Sequence, residues 1–479
     1  MEHRTVSAAS RAVVVSILIG GAVASYRTVH NSARALDLPA GLDEVSSKKP
    51  PLCGQPNDSK IHIPPDWNSF APPAIGQSYA DPVFGCPVKR LTNGSSEGVL
   101  ADGARLAFMN YYSTFSPINA GDTLILIYSN NGAWRITDMD GKVVVAANKM
   151  PSMNNGHPVW DAFQGNVFYY ALGSGLYKAI LSGGSVKSAE LQRFKEYRGI
   201  VSPDASDLSQ DGDHIALVGQ NANNTMDVFV WSLSKKIKAS TYTTACKLAD
   251  TITATQQPGC VHKLLLTADN QLSIQFAGDG SGQEEGVRLW NGQELVHLQD
   301  ATNHYDTGYD LNGNPIFIAV NNPQTLHTMK NACAGGWGLE VRQQNGLASA
   351  VCLLDKEPAW HVSYRGGASQ PWAALSFFDG RKPGPELFGD DKNYQEPSSN
   401  NWQLYEDEVL LARADGGAVY RLAHARSRSA EDYWSQPHAA ISRDGKYVAF
   451  TSNMAFPNGC SEKVHVKNEC TDVYLIKVF

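Results

Sequence analysis

Five of the chain's 13 histidines, His157, His262, His304, His361 and His438, stand at or near the opening of short apolar runs. A neutral imidazole offers a lone pair to a divalent cation and can also take up a proton near neutral pH. Brought to one pocket with Asp306 and Gln436, such imidazoles could bind a divalent metal; a pocket holding His, Tyr and Arg can abstract a proton. Any one of these histidines alone has a plainer role, donating to the backbone of a neighbouring element. Five in the same local setting need an architecture that gathers them.

That architecture is written most clearly in Gln436-Pro437-His438-Ala-Ala-Ile441-Ser442-Arg443-Asp444-Gly445-Lys-Tyr-Val-Ala-Phe-Thr-Ser452, a short strand, an Asp-Gly turn and an apolar second strand. Gly tolerates the positive φ of such turns, so the pair between two apolar runs signals a hairpin. Variants of this phrase recur at Tyr112–Tyr128, His157–Tyr170, Asp207–Val218, Leu266–Phe276 and Tyr309–Val320, and at His361–Ser376, where the Asp-Gly is lost. Most are followed by two further strand-like runs, such as Ala133–Thr137 and Lys142–Ala146. Four short strands repeating every ~40 to 60 residues predict propeller blades. The expectation is an all-β, seven-bladed β-propeller of four-stranded antiparallel blades over residues 84–479. A row of small β-sandwiches, the competing architecture, would not need the same turn phrase in every unit. The ring should close by pairing Val88–Thr92 with the terminal strand Asp472–Phe479, which removes an open edge.

In a propeller the first strand of every blade lines one channel, so residues at one offset before each turn fall on one ring. Four residues before Ser442 stands His438, and the matching positions are Tyr112, His157, Ala205, Lys263, Asp306 and His361. Gln436 and His304 lie two positions earlier than this ring, and His262 beside Lys263. Tyr112, His157, Asp306 and Tyr433 are the expected substrate contacts.

The phrase Ile441–Ser452 resembles the WD40-like repeat of secreted bacterial propellers, and the blade-opening Gln436-x-His438 is similar to that of oligogalacturonate lyases. The resemblance implies a divalent cation, manganese or calcium, on His304, His361, Gln436 and His438, with a separate catalytic His and an Arg for β-elimination beside a uronate carboxylate. His361-Val-Ser-Tyr364-Arg365 also resembles the His, Tyr and Arg used without a catalytic metal by ulvan lyases, another propeller group. Elimination across C4–C5 of a uronate needs its carboxylate neutralised, so that the C5 proton becomes acidic, and a base that reaches that proton. Arg365 is the first candidate for the neutralising charge, expected at the same mouth as His361, and Arg198 the second. For both, an ion pair between blades is the plainer reading.

Two function classes therefore stand: a polysaccharide-active enzyme cleaving a uronate-containing glycan, or a non-catalytic propeller binding glycan or protein on the same ring. Forty Lys plus Arg against 47 Asp plus Glu, a formal charge of −7, argue against nucleic acid as a partner. There is no Gly-x-Ser-x-Gly, His-Glu-x-x-His or phosphate loop to support serine hydrolase, zincin or nucleotide chemistry. Residues 1–24 carry Arg4, Arg11, an apolar run and Ala22-Val23-Ala24, the pattern of a secretory signal, with an uncleaved anchor as the alternative. Residues 25–83, rich in Pro and Ser, read as a tether and irregular lead-in. The eight cysteines fall into sequence neighbours, Cys53/Cys86, Cys246/Cys260, Cys333/Cys352 and Cys460/Cys470, a disulfide framework suited to a secreted or periplasmic monomer. A zinc site is the competing use, and no C-x-x-C occurs. The insertion at 384–402 is either a lid or a solvated loop.

Overall fold

The computed structural model describes residues 51–479 except 101–104, 154–155, 202–205, 248–258, 279–281, 300–303, 322–331, 335–337, 345, 356–360, 378–397, 401, 429–432 and 456–469. The expected signal, most of the 384–402 insertion and Cys460 lie outside these residues.

Seven antiparallel sheets form, five of four strands and two of five. Blade five shows the plan: Tyr305–Tyr309, Pro315–Asn321, Gly338–Gln343 and Gly346–Leu354 pair in chain order. The first strand of each blade runs from the loop after the previous blade to a hairpin turn. The Asp-Gly signals sit in those turns, with Gly212, Gly313 and Gly445 at φ of 73°, 83° and 80°. Blade six, without Asp-Gly, makes its turn at Gly367–Gln370, where the Gly367 N–H donates to the Gln370 carbonyl.

What holds the ring is apolar surface shared between neighbours. The buried hydrophobic residues form seven clusters, and each straddles one seam between consecutive blades. Blade seven meets blade one through Ala449, Val473 and Leu475 against Phe108, Ile125 and Ile127. Because both faces of every blade are covered this way, strands such as Leu124–Ser129 read as continuous apolar runs rather than alternating ones.

Closure follows the expected pairing. Pro87–Arg90 lies antiparallel to Asp472–Lys477, with Val88 opposite Ile476 and Arg90 opposite Tyr474. The buried Asp472 carboxylate accepts from Arg90 at 2.7 Å, and from the Thr92 hydroxyl and Gly94 N–H at 2.8 Å each. The lead-in also joins the sheets: Ser78–Ala80 adds a fifth strand to blade seven and Gln55–Pro56 one to blade six. Cys53–Cys86, Cys246–Cys260 and Cys333–Cys352 are bridged, and Cys470 is disulfide-bonded. No helix among the described residues is long and apolar enough to cross a membrane.

Candidate functional site

The channel is crossed by polar side chains at successive depths. Nearest the openings of the first strands lies an imidazole layer. His304 of blade five, His361 of blade six and His438 of blade seven come from consecutive blades, with ring centroids 4.4 Å apart for the first pair and 4.0 Å for the second. Tyr112 reaches across from blade one, its hydroxyl 3.0 Å from His304 Nδ1 and its ring 5.5 and 5.4 Å from those of His361 and His438. Lys263 of blade four completes the layer: its ammonium stands 5.1 Å from the Tyr112 ring centroid and donates to the Tyr305 carbonyl at 3.3 Å.

Burial sets the protonation of this layer. All three imidazoles are held below the ordinary histidine value because water does not reach them to solvate a charge, and His438 is pushed down to about 3. Lys263 adds its repulsion at His304 and His361, while a hydrogen bond with the Gln436 backbone partly opposes the shift at His438. The result is three neutral imidazoles at neutral pH, which need lose no proton to accept a cation. The two ring nitrogens of His361 are buried with no hydrogen-bond partner among the described residues, a cost that a bound ion would remove. The donor set therefore fits a divalent cation. Among the described residues, the trio whose donor atoms all lie within 4.8 Å of one another is Cys333, Cys352 and Asp355, and its two sulfurs are already joined in a disulfide. The three imidazoles do not form such a trio in this arrangement.

Deeper in the channel lies a carboxylate–guanidinium layer. Arg365 donates through Nε to Asp207 of blade three, and through NH1 to Asp306 at 3.2 Å and Ser363 at 2.9 Å. Asp306 also accepts from the Tyr364 N–H at 2.7 Å and the Thr307 N–H at 2.9 Å; burial nevertheless lifts its carboxyl to about 6, against the pull of Arg365. Arg365 is therefore not in the imidazole layer. Its guanidinium reaches back only to Ser363, two residues or roughly 6–7 Å of strand short of His361.

The remaining expected site residues are dispersed. Tyr364 points out of the channel, since strand side chains alternate; its hydroxyl donates to the Tyr309 carbonyl at 2.6 Å and its ring fills the space above Gly308. His157 is buried against Tyr111 and Phe115, with Nε2 3.1 Å from the Ser206 carbonyl, its plainer structural role. Arg198 is pinned to the hairpin loop of its own blade through Asn224 and the Ala222 carbonyl. Gln436 is buried beside the layer, and Tyr433 sits in a single 3₁₀ turn, its side chain outside the described ones. Asp207, Ser363 and Arg443 emerge only from the structure. Asp207 and Ser363 stood at channel-facing alternation two residues from recognised positions, a usable signal, whereas Arg443, beside the Asp-Gly turn, had none.

No family model and no curated protein matches the chain. Among solved structures it is similar to an oligogalacturonate lyase in complex with manganese, at 10% identity over 89% of this chain and 98% of that one, with a TM-score of 0.50. It is also similar to an oligogalacturonate lyase from Vibrio parahaemolyticus (9% identity, 88% and 98% covered, TM-score 0.49) and to the Pan2 WD40 domain of Neurospora crassa (11%, 81% and 95%, 0.42). The class defined by the fold is a seven-bladed β-propeller.

Proposed function

We propose that the protein is a secreted or periplasmic monomer that acts on a uronate-containing polysaccharide by β-elimination at the imidazole layer. The observation that carries this reading is the cross-channel meeting of Tyr112 and His304 at 3.0 Å beside Lys263, His361 and His438. In this arrangement the Tyr112 and His304 pair takes the C5 proton, the C5–H electrons form the C4=C5 double bond, and the C4–O bond breaks with its electron pair and a proton passing to the leaving sugar oxygen. Lys263 supplies a positive charge for the carboxylate at the same depth, the role first sought in Arg365. With His304 given to proton transfer, His361 and His438, with Gln436 alongside, would hold a divalent ion such as manganese or calcium. Such an ion would neutralise the carboxylate and acidify the C5 proton. Three disulfides and a leader-like N-terminus support an oxidising compartment.

The test is incubation of the full chain with a panel of uronate polysaccharides, following the ultraviolet absorbance of the unsaturated product with and without chelator. Tyr112→Phe and His438→Ala should each cut the rate by about 10²-fold or more while the propeller stays folded. The second reading, a non-catalytic propeller that binds glycan or protein, is favoured by the complete burial of His361 and His438. Binding of the same polysaccharides without any unsaturated product, in protein replete with manganese or calcium, would decide for it.

A further inference from the structure

At the opposite end of the channel, among the hairpin turns, a cleft is lined by Thr114, Asp207, Ser209, Gln210, Asp306, Arg365 and Arg443, among others, and by none of the imidazoles. Its two guanidiniums are placed differently. Arg365 is paired with two carboxylates, Asp207 and Asp306. Arg443 reaches across from blade seven to blade three and, among the described residues, donates to the backbone carbonyls of Leu208 at 2.5 Å and Ser209 at 3.4 Å. No carboxylate among the described residues lies within 4.0 Å of it. A half-buried guanidinium whose described hydrogen bonds go to carbonyl oxygens can still take an anion as a charge-assisted partner. Loss of water depresses its pKa, and the more distant Asp207 only partly opposes this.

A second, independent feature points into the same cleft. The Thr114 hydroxyl is buried and without a hydrogen-bond partner among the described residues. Such a group calls for a polar ligand atom or an ordered water. Outside the residues that line the cleft, Phe163 is 63% exposed and lies against Gly212, in the turn that also supplies Ser209 and Gln210. A planar guanidinium takes a carboxylate, a free hydroxyl takes a sugar hydroxyl, and an exposed aromatic face takes the C–H face of a pyranose.

We propose that this turn-side cleft is a second binding site, distinct from the imidazole layer, for a carboxylate-bearing sugar, with Arg443 gripping the carboxylate, Thr114 a hydroxyl and Phe163 the ring. The site stands whether or not the imidazole layer is catalytic. The test is calorimetric titration of the full chain with D-glucuronate, D-glucose and acetate. Glucuronate should bind and glucose should not. Arg443→Gln should weaken glucuronate by at least about tenfold, the loss of a charge-assisted pair. Phe163→Ser, an exposed position that leaves the fold intact, should weaken glucuronate by about 3–10-fold and leave acetate unchanged. His438→Ala should still bind glucuronate, which separates this site from the one proposed for elimination. Absence of glucuronate binding, equal binding of glucose, or binding unaffected by both Arg443→Gln and Phe163→Ser would overturn the proposal. Acetate binding as tight as glucuronate would overturn the sugar assignment.

Discussion

Removing the Asp472 carboxylate should open the ring at its closure. Asp472 is fully buried and is the one carboxylate that Arg90 meets at 2.7 Å, while its other oxygen holds Thr92 and Gly94 of the same N-terminal segment. Asp472→Ala leaves a buried guanidinium without its counter-charge and orphans two further donors, so the expected loss is about 3–5 kcal/mol. Asp472→Asn keeps an acceptor for Thr92 and Gly94 and loses only the charge, which places it nearer ~1.5–3 kcal/mol. The assay is urea denaturation of wild type, Arg90→Ala, Asp472→Ala and the double variant. In the double variant the second substitution should cost much less than it does alone, because the buried charge is already gone. Simple additivity of the two losses, or an Asp472→Ala loss under about 1 kcal/mol, would refute the account of closure, since that is what an exposed pair shows.

Asp122 and Asp444, in the turns of blades one and seven, form a hydrogen-bonded carboxyl pair beside Lys446, and burial followed by Asp444 lifts Asp122 to about 7. Between the ordinary carboxylate value and about 7 the folded chain holds a proton that the unfolded chain lacks, so this pair's contribution to stability falls as pH rises through that window. Asp122→Asn, which tolerates the φ of 50° there, should be roughly 1–2 kcal/mol more stable than wild type at pH 8 and equal to it near pH 4; a variant equally stable at both would sink the shared-proton account. Tyr364→Phe should lose about 1 kcal/mol with its bond to the Tyr309 carbonyl and keep full activity on any polysaccharide the protein cleaves; a selective fall in kcat at unchanged stability would return Tyr364 to the chemistry.

The propeller was legible because its signals are local. Each Asp-Gly turn and apolar run is read within about a dozen residues, and Val88–Thr92 stood out as a strand with no partner nearby. Three of the cysteine bridges were legible for the same reason: a short loop brings its own ends together. The site was legible only as far as the period of two carries. His438 stands four residues before the turn that opens at Ser442, while His304 and His361 stand six residues before those that open at Asp310 and Gly367, and the three meet. Blade one departs from those offsets because its turn opens at Asn119, three residues beyond Ser116, so Tyr112 enters the layer from a different position along its strand. Depth along the channel is what the sequence could not supply. Arg365 follows His361 by four residues, and whether its long side chain folds back to the imidazoles or forward to the turns depends on Asp207 and Asp306, contributed by two other blades. Arg443 is a turn residue by sequence and a channel residue by structure, because the carbonyls of Leu208 and Ser209, about 235 positions away, receive it. Repeat grammar fixes which residues face the axis; the partner that meets each one across the axis is set only when seven blades close into a ring.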